Sequence, residues 1–199
     1  MSPIRQTIFA LLLLMIVSSP AVAQRSGPEF RRPLACEPLE PRTKLEAIDS
    51  RYERILIKGF SQVANLDVRG GEIRIDAVEL KDPVAPARAT GIVVAIREAT
   101  ESRRENRALI DYEEIDAFIR ALDAVSKVNE TATQLTGFEA RYRTRGDLEV
   151  NVFRQNRSGM ASSVATGICD RVSVFLTLDE LNKFRGIILE AKTRLDEIK

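Results

Sequence analysis

The chain reads as an α+β fold: two β4α repeats whose antiparallel sheets pack with two amphipathic helices. Three observations predict it. The stretch Asp111-Tyr112-Glu113-Glu114-Ile115-Asp116-Ala117-Phe118 has a counterpart in Thr177-Leu178-Asp179-Glu180-Leu181-Asn182-Lys183-Phe184. Ahead of each lie short apolar runs separated by Gly, Pro and charged turns, the pattern of hairpin-linked strands. Behind each, apolar residues recur at spacings of three and four, the stripe of an amphipathic helix. In both stretches an Asp or Thr stands where an N-cap belongs, with Glu three residues on. The cap side chain can accept from the N3 amide while that Glu reaches back to the cap amide.

The elements follow in order. Arg5 supplies a positive start, Ile8 to Val17 is almost continuously apolar, and Ala21-Val22-Ala23 has the A-x-A form of a cleavage site. Residues 1–23 are therefore expected to be a signal peptide, cut after Ala23, whose apolar run of about ten residues is too short to span a bilayer. Gln24 to Arg42 holds Pro28, Pro33, Pro38 and Pro41 and reads as an extended arm. One duplicated domain fills 43–199, with halves at 43–128 and 138–199. Thr43-Lys44-Leu45-Glu46 is a third capping box and predicts a short helix over Lys44–Ser50.

A strand is expected at Tyr52–Phe60, centred on Ile55-Leu56-Ile57. Gly70-Gly71 marks a turn, after which Ile73 and Ile75 alternate with Arg74 and Asp76 towards Leu80. Asp82-Pro83 to Pro86 ends that strand. Ile92-Val93-Val94-Ala95-Ile96 is β-branched and apolar. Arg107 to Asp111 feeds the first long helix, whose stripe is Tyr112, Ile115, Phe118, Ile119, Leu122 and Val125. In the second half, strands are expected at Phe138–Thr144, around Leu148, Val150 and Val152, at Met160–Ile168 and at Arg171–Leu176. The last helix should run from Leu178 to about Glu197, with Leu178, Leu181, Phe184, Ile188, Ala191, Leu195 and Ile198 in its stripe.

This topology resembles the single-stranded-nucleic-acid-binding regulators of the Whirly, PUR and positive-cofactor type, which are built from β4α units paired about a pseudo-dyad. In wording, Ile110-Asp111-Tyr112-Glu113-Glu114-Ile115-Asp116, Phe138-Glu139-Ala140 and Leu176-Thr177-Leu178-Asp179-Glu180-Leu181 are similar to a family of uncharacterised exported bacterial proteins. The likeness covers about Thr43 to the end. Its motifs are strand ends and helix caps, so it implies fold and export rather than a chemistry. No binding residue of the nucleic-acid-binding families has a matching signature here.

Composition narrows the function. Thirty basic side chains face 29 acidic ones, and loss of Arg5 with the leader brings them into balance. A nucleic-acid binder usually carries a basic surplus. The chain has no His, the commonest general base and metal ligand. Its two cysteines, Cys36 and Cys169, allow one pairing in an exported chain, a bridge the chain-entropy model values at roughly 4–5 kcal/mol.

Several clusters could carry chemistry. Arg141, Arg143 and Arg145 fall two apart and would share one strand face, with Arg154 and Arg157 a hairpin away. Such a stripe could hold a polyanion, although Glu139, Asp147 and Glu149 are near enough to balance it. Arg145-Gly146-Asp147 spells an adhesion tripeptide and also an ordinary hairpin turn. Asp111, Glu113, Glu114 and Asp116 could form a metal or acid/base site, but carboxylates at a helix N-terminus already suit the macrodipole. Ser158, Ser162 and Ser163 lack a histidine partner, and no motif sets Lys127, Lys183 or Lys192 beside them. Asn129-Glu130-Thr131 and Asn156-Arg157-Ser158 are glycosylation sequons, with meaning only in a eukaryotic secretory pathway. No phosphate loop or dinucleotide fingerprint occurs, and nothing calls for a metal or cofactor.

The expectation is an exported, periplasmic or secreted, non-enzymatic binding or structural module for a protein or envelope polymer. The second expectation is a polyanion or single-stranded-nucleic-acid binder, favoured by an arginine-lined sheet with exposed aromatics. The third is an enzyme with an unfamiliar site, favoured by a deep pocket around a perturbed carboxylate or lysine.

Overall fold

The alternating and helical patterns of the sequence both form regular elements in the structure, a computed structural model that describes residues 40–154 and 159–199. The expected signal peptide, most of the arm, Cys36, Asn156, Arg157 and Ser158 lie outside those residues. A short helix, α1 (Lys44–Asp49), precedes a meander of β1 (Ile57–Val68), β2 (Gly71–Asp82), β3 (Ala87–Glu98) and β4 (Glu105–Asp111). Helix α2 (Tyr112–Ser126) follows. A second meander, β5 (Glu139–Arg143), β6 (Glu149–Arg154), β7 (Met160–Thr166) and β8 (Val172–Leu176), ends in α3 (Leu178–Asp196). Both sheets are antiparallel, with their four strands side by side in chain order. The molecule is thus an α+β fold of two β4α repeats, preceded by one extra short helix.

The first strand is displaced from its expected place at Tyr52–Phe60. Its partner decides this. Strand β2 stops at Asp82 before Pro83, where the chain turns, and the last pair formed is Ile57 with Lys81. Tyr52 to Leu56 therefore stay outside the ladder despite the apolar Tyr52, Ile55 and Leu56. At the other end β2 begins at Gly71, so pairing draws Ser61 to Val68 into the strand, with a bulge between Gln62 and Ala64. Two smaller ends also differ. Strand β7 stops at Thr166 rather than Ile168, and Ile198 lies beyond α3, about half exposed.

Strands β2, β3 and β4 of the first sheet have two apolar faces. Ile73, Ile75, Ile92, Val94, Ile96 and Ile110 enter the main core. Val78, Leu80, Val93 and Leu109 face the other way and are covered by Leu45 and Ile48 of α1. Burying each such side chain is worth about 1.5–3 kcal/mol.

The two long helices contact both sheets, and the sheets also meet directly, chiefly β3 against β8, around one shared core. The helices pack on each other. Helix α3 also lies across β1, β2 and β3 of the first sheet, while α2 reaches β5 and β6 of the second. Phe118 of α2 stacks on Tyr142 of β5 at 6.0 Å and meets Phe184 of α3 edge-on at 6.2 Å. One backbone hydrogen bond joins the sheets directly, from the Phe175 amide to the Arg69 carbonyl at 2.9 Å.

Candidate functional site

The acidic cluster at the start of α2 has a structural use. Asp111 is the N-cap residue, but its side chain makes no cap bond to its own helix. Its carboxylate instead accepts from the amides of Lys44 at 2.8 Å and Leu45 at 3.1 Å, the first two residues of α1. Those amides are unsatisfied donors at the positive end of a helix, so an anion suits them. Glu114, expected to reach back to Asp111, is buried and accepts from the Arg145 amide at 2.9 Å. Glu113 pairs with Lys44 at 2.6 Å. The capping box expected at Asp111 is therefore replaced by two long-range anchors. The equivalent box at Thr177 and Glu180 is present, with Thr177 accepting from the Glu180 amide at 3.2 Å.

The turn 144–148 explains the adhesion-like tripeptide. Strand β5 ends at Arg143, so Arg145 stands in this turn rather than on the strand face. Gly146 lies directly against the backbone of Leu109 in β4. A Cβ on it would fall 1.9 Å from the Leu109 oxygen, so only glycine allows the approach. Asp147 is buried and bound by the Arg42 guanidinium. The tripeptide is thus a docking hairpin inside the molecule, with its carboxylate engaged.

Arg141 and Arg143 do share the outer face of the second sheet, and they converge on one carboxylate. Glu149, directly opposite Arg143 in the ladder, is 3 % exposed. Its oxygens lie 2.8 Å from Arg143 Nη2, 3.9 Å from Arg141 Nη1 and 2.6 Å from Arg171 Nη2. Asn151 adds a hydrogen bond at 3.0 Å. Burial pushes the Glu149 carboxyl up. The hydrogen bonds from Arg171 and Asn151 and the charges of Arg171 and Arg143 outweigh that, and the net shift is downward. Arg154 leaves this group and faces Glu130 at 3.4 Å. The stripe read from the sequence becomes a carboxylate clamped by three guanidinium groups. Arg171 was missed because it lies two strands away, and only the sheet register could have shown it.

Two further features complete the surface. A cavity of about 420 Å³ opens beside the start of α3, lined by Arg69, Met160, Phe175, Leu178 and Glu180 among others. Its Glu180 carboxylate is already held by Thr177. Ser162 is buried and donates to the Leu176 carbonyl at 2.9 Å, which leaves its hydroxyl no role as a nucleophile. Among the described residues, no group of three or more metal-ligating side chains gathers, and no helix is long and apolar enough to cross a membrane.

The most exposed apolar surface lies elsewhere. Tyr52 (90 % exposed), Ile55, Leu56, Ile57 and Phe60 (71 % exposed) follow one another along the approach to β1 and its first half. Strand β1 is the outer strand of its sheet. The sequence held these residues in view as a strand, but an apolar strand is normally core, and nothing in the letters showed that this one overhangs the core. Compared with known proteins, the chain matches no family model, and no curated protein shows significant similarity to it.

Proposed function

We propose that the protein is an exported, non-enzymatic binding module that engages a protein through the open edge of its first sheet. The run of exposed apolar side chains from Tyr52 to Phe60 carries this reading. Soluble proteins rarely leave such a run bare, and contiguous apolar surface at a sheet edge marks a place where another chain pairs. The polyanion alternative has weaker support, because Arg141 and Arg143 already share the Glu149 carboxylate. Export rests on the apolar leader and the Ala21-Val22-Ala23 site, and a Cys36–Cys169 bridge belongs to the same proposal.

Photo-crosslinking from position 60 in intact envelopes tests the reading. A discrete protein adduct is expected there and none from position 141. No protein adduct of any mass, or retention on heparin or single-stranded DNA that weakens steadily with salt, would overturn it. Mass measurement of the secreted chain should show a start at Gln24, and alkylation of both thiols only after reduction.

A further inference from the structure

The outer strand edges of the two sheets are protected unequally. The β4 edge receives the 144–148 turn, with Gly146 against Leu109. The β8 edge carries the bridge from Phe175 to Arg69. The β5 strand is short and bears Glu139, Arg141 and Arg143. Short length and charge are the usual ways to keep an edge from pairing. Strand β1 has neither: it is 12 residues long, and Lys58 is the sole charged side chain between Ile55 and Leu66.

Its free part is bounded. At the bulge after Gln62, the Arg194 guanidinium donates to the Gln62 carbonyl at 2.9 Å and to the Ser61 hydroxyl at 3.1 Å, leaving the Ser61 backbone open. That leaves Ile57 to Ser61, a stretch centred on Gly59. We infer that this edge is a homodimer interface, in which β1 pairs antiparallel with β1 of a second copy about a two-fold axis at Gly59. The inference rests on the apolar-edge reading above and names the partner. In this register Lys58 faces Phe60 of the second copy, and Ile57 faces its Ser61. The lysine ammonium then meets an aromatic ring, while the two Lys58 charges stay apart. An axis at Lys58 would instead set like charges opposite each other. The site is self-complementary, as a two-fold interface must be.

The area is adequate. With aromatic side chains contributing about 150–250 Å² each when fully buried, the five residues from Tyr52 to Phe60 leave on the order of 600 Å² bare per copy. With Tyr52, Ile55 and Leu56 of each copy packed beside the paired strands, two copies bury at most roughly 1,200 Å², the lower end of specific interfaces.

Sedimentation equilibrium of the mature chain over the micromolar range, with three variants, tests this. The unaltered chain is expected to be a dimer. Phe60→Glu should weaken dimerisation at least tenfold, at unchanged circular dichroism. Gly59→Cys should give a disulfide-linked dimer mapped by mass spectrometry to a 59–59 link. A Cβ at that position meets nothing closer than 3.9 Å, so the variant keeps its fold. Ile57→Cys should give no 57–57 link, since those positions lie four residues apart in register. A monomer throughout the range, a dimer indifferent to Phe60→Glu, or a Gly59→Cys dimer without the 59–59 link would each overturn the inference. A monomer that still forms adducts from position 60 would overturn the dimer alone and leave the binding-module reading standing.

Discussion

The two helix starts at Asp111 and Thr177 carry nearly the same letters and do different work. At Thr177 the threonine and Glu180 bind each other's backbone, and the cap closes on itself. At Asp111 both carboxylates turn away from their own helix. One holds the start of α1 and the other holds the Arg145 amide. Local caps stabilise one helix. The Asp111–Glu114 pair instead ties the short helix and the second sheet's hairpin to the junction of β4 and α2. The duplication of the chain is therefore a duplication of topology, within which one copy of the motif has become the joint.

The difference has measurable size. Asp111→Ala strands two amide donors of α1 and removes a buried charge-assisted contact, and should cost about 3 kcal/mol in urea unfolding. Glu114→Ala leaves the Arg145 amide without its acceptor and should cost about 2 kcal/mol. Thr177→Ala, at the self-contained cap, should cost only about 1 kcal/mol. Equal losses at Asp111 and Thr177 would erase the distinction between joint and local cap.

The smallest effect comes from the second sheet's own buried carboxylate. Glu149 is held by guanidinium groups that are 41–60 % exposed, so solvent and salt screen the attraction. Its carboxyl is held below the usual value of 4.5 in the folded protein. That stabilisation is full above the unfolded glutamate value and is lost as pH falls through the depressed folded value. Acid unfolding curves should show it, and Glu149→Gln should flatten that part of the curve.

Much of the architecture was legible because period-two and period-3.6 patterns report burial directly. Ile73 with Ile75, and Ile115 with Phe118 and Leu122, placed their elements correctly. The misplacement of β1 has a different origin. Strand limits are set by the partner strand, and the Pro83 break that fixes Ile57 as the start lies 26 residues downstream in the sequence. The site was legible only in part. The placing of Arg141 and Arg143 on one face followed from alternation. That Glu149 would be buried beneath them, with Arg171 joining from the turn just before β8, depended on a register no local pattern encodes. Likewise, Asp111 reads as a cap in any window, and its true partners lie 66 and 67 residues away.

The docking of Gly146 on Leu109 bears on how the chain folds. The contact joins residues 37 positions apart, and the neighbouring Arg42–Asp147 pair joins residues 105 apart. Closing such loops is slow because chain entropy is lost before the contact forms. Once formed, the contacts couple the halves, since β4 cannot leave the hairpin without baring both. The protein should therefore unfold in one cooperative transition, and neither half should persist as a folded fragment when expressed without the other.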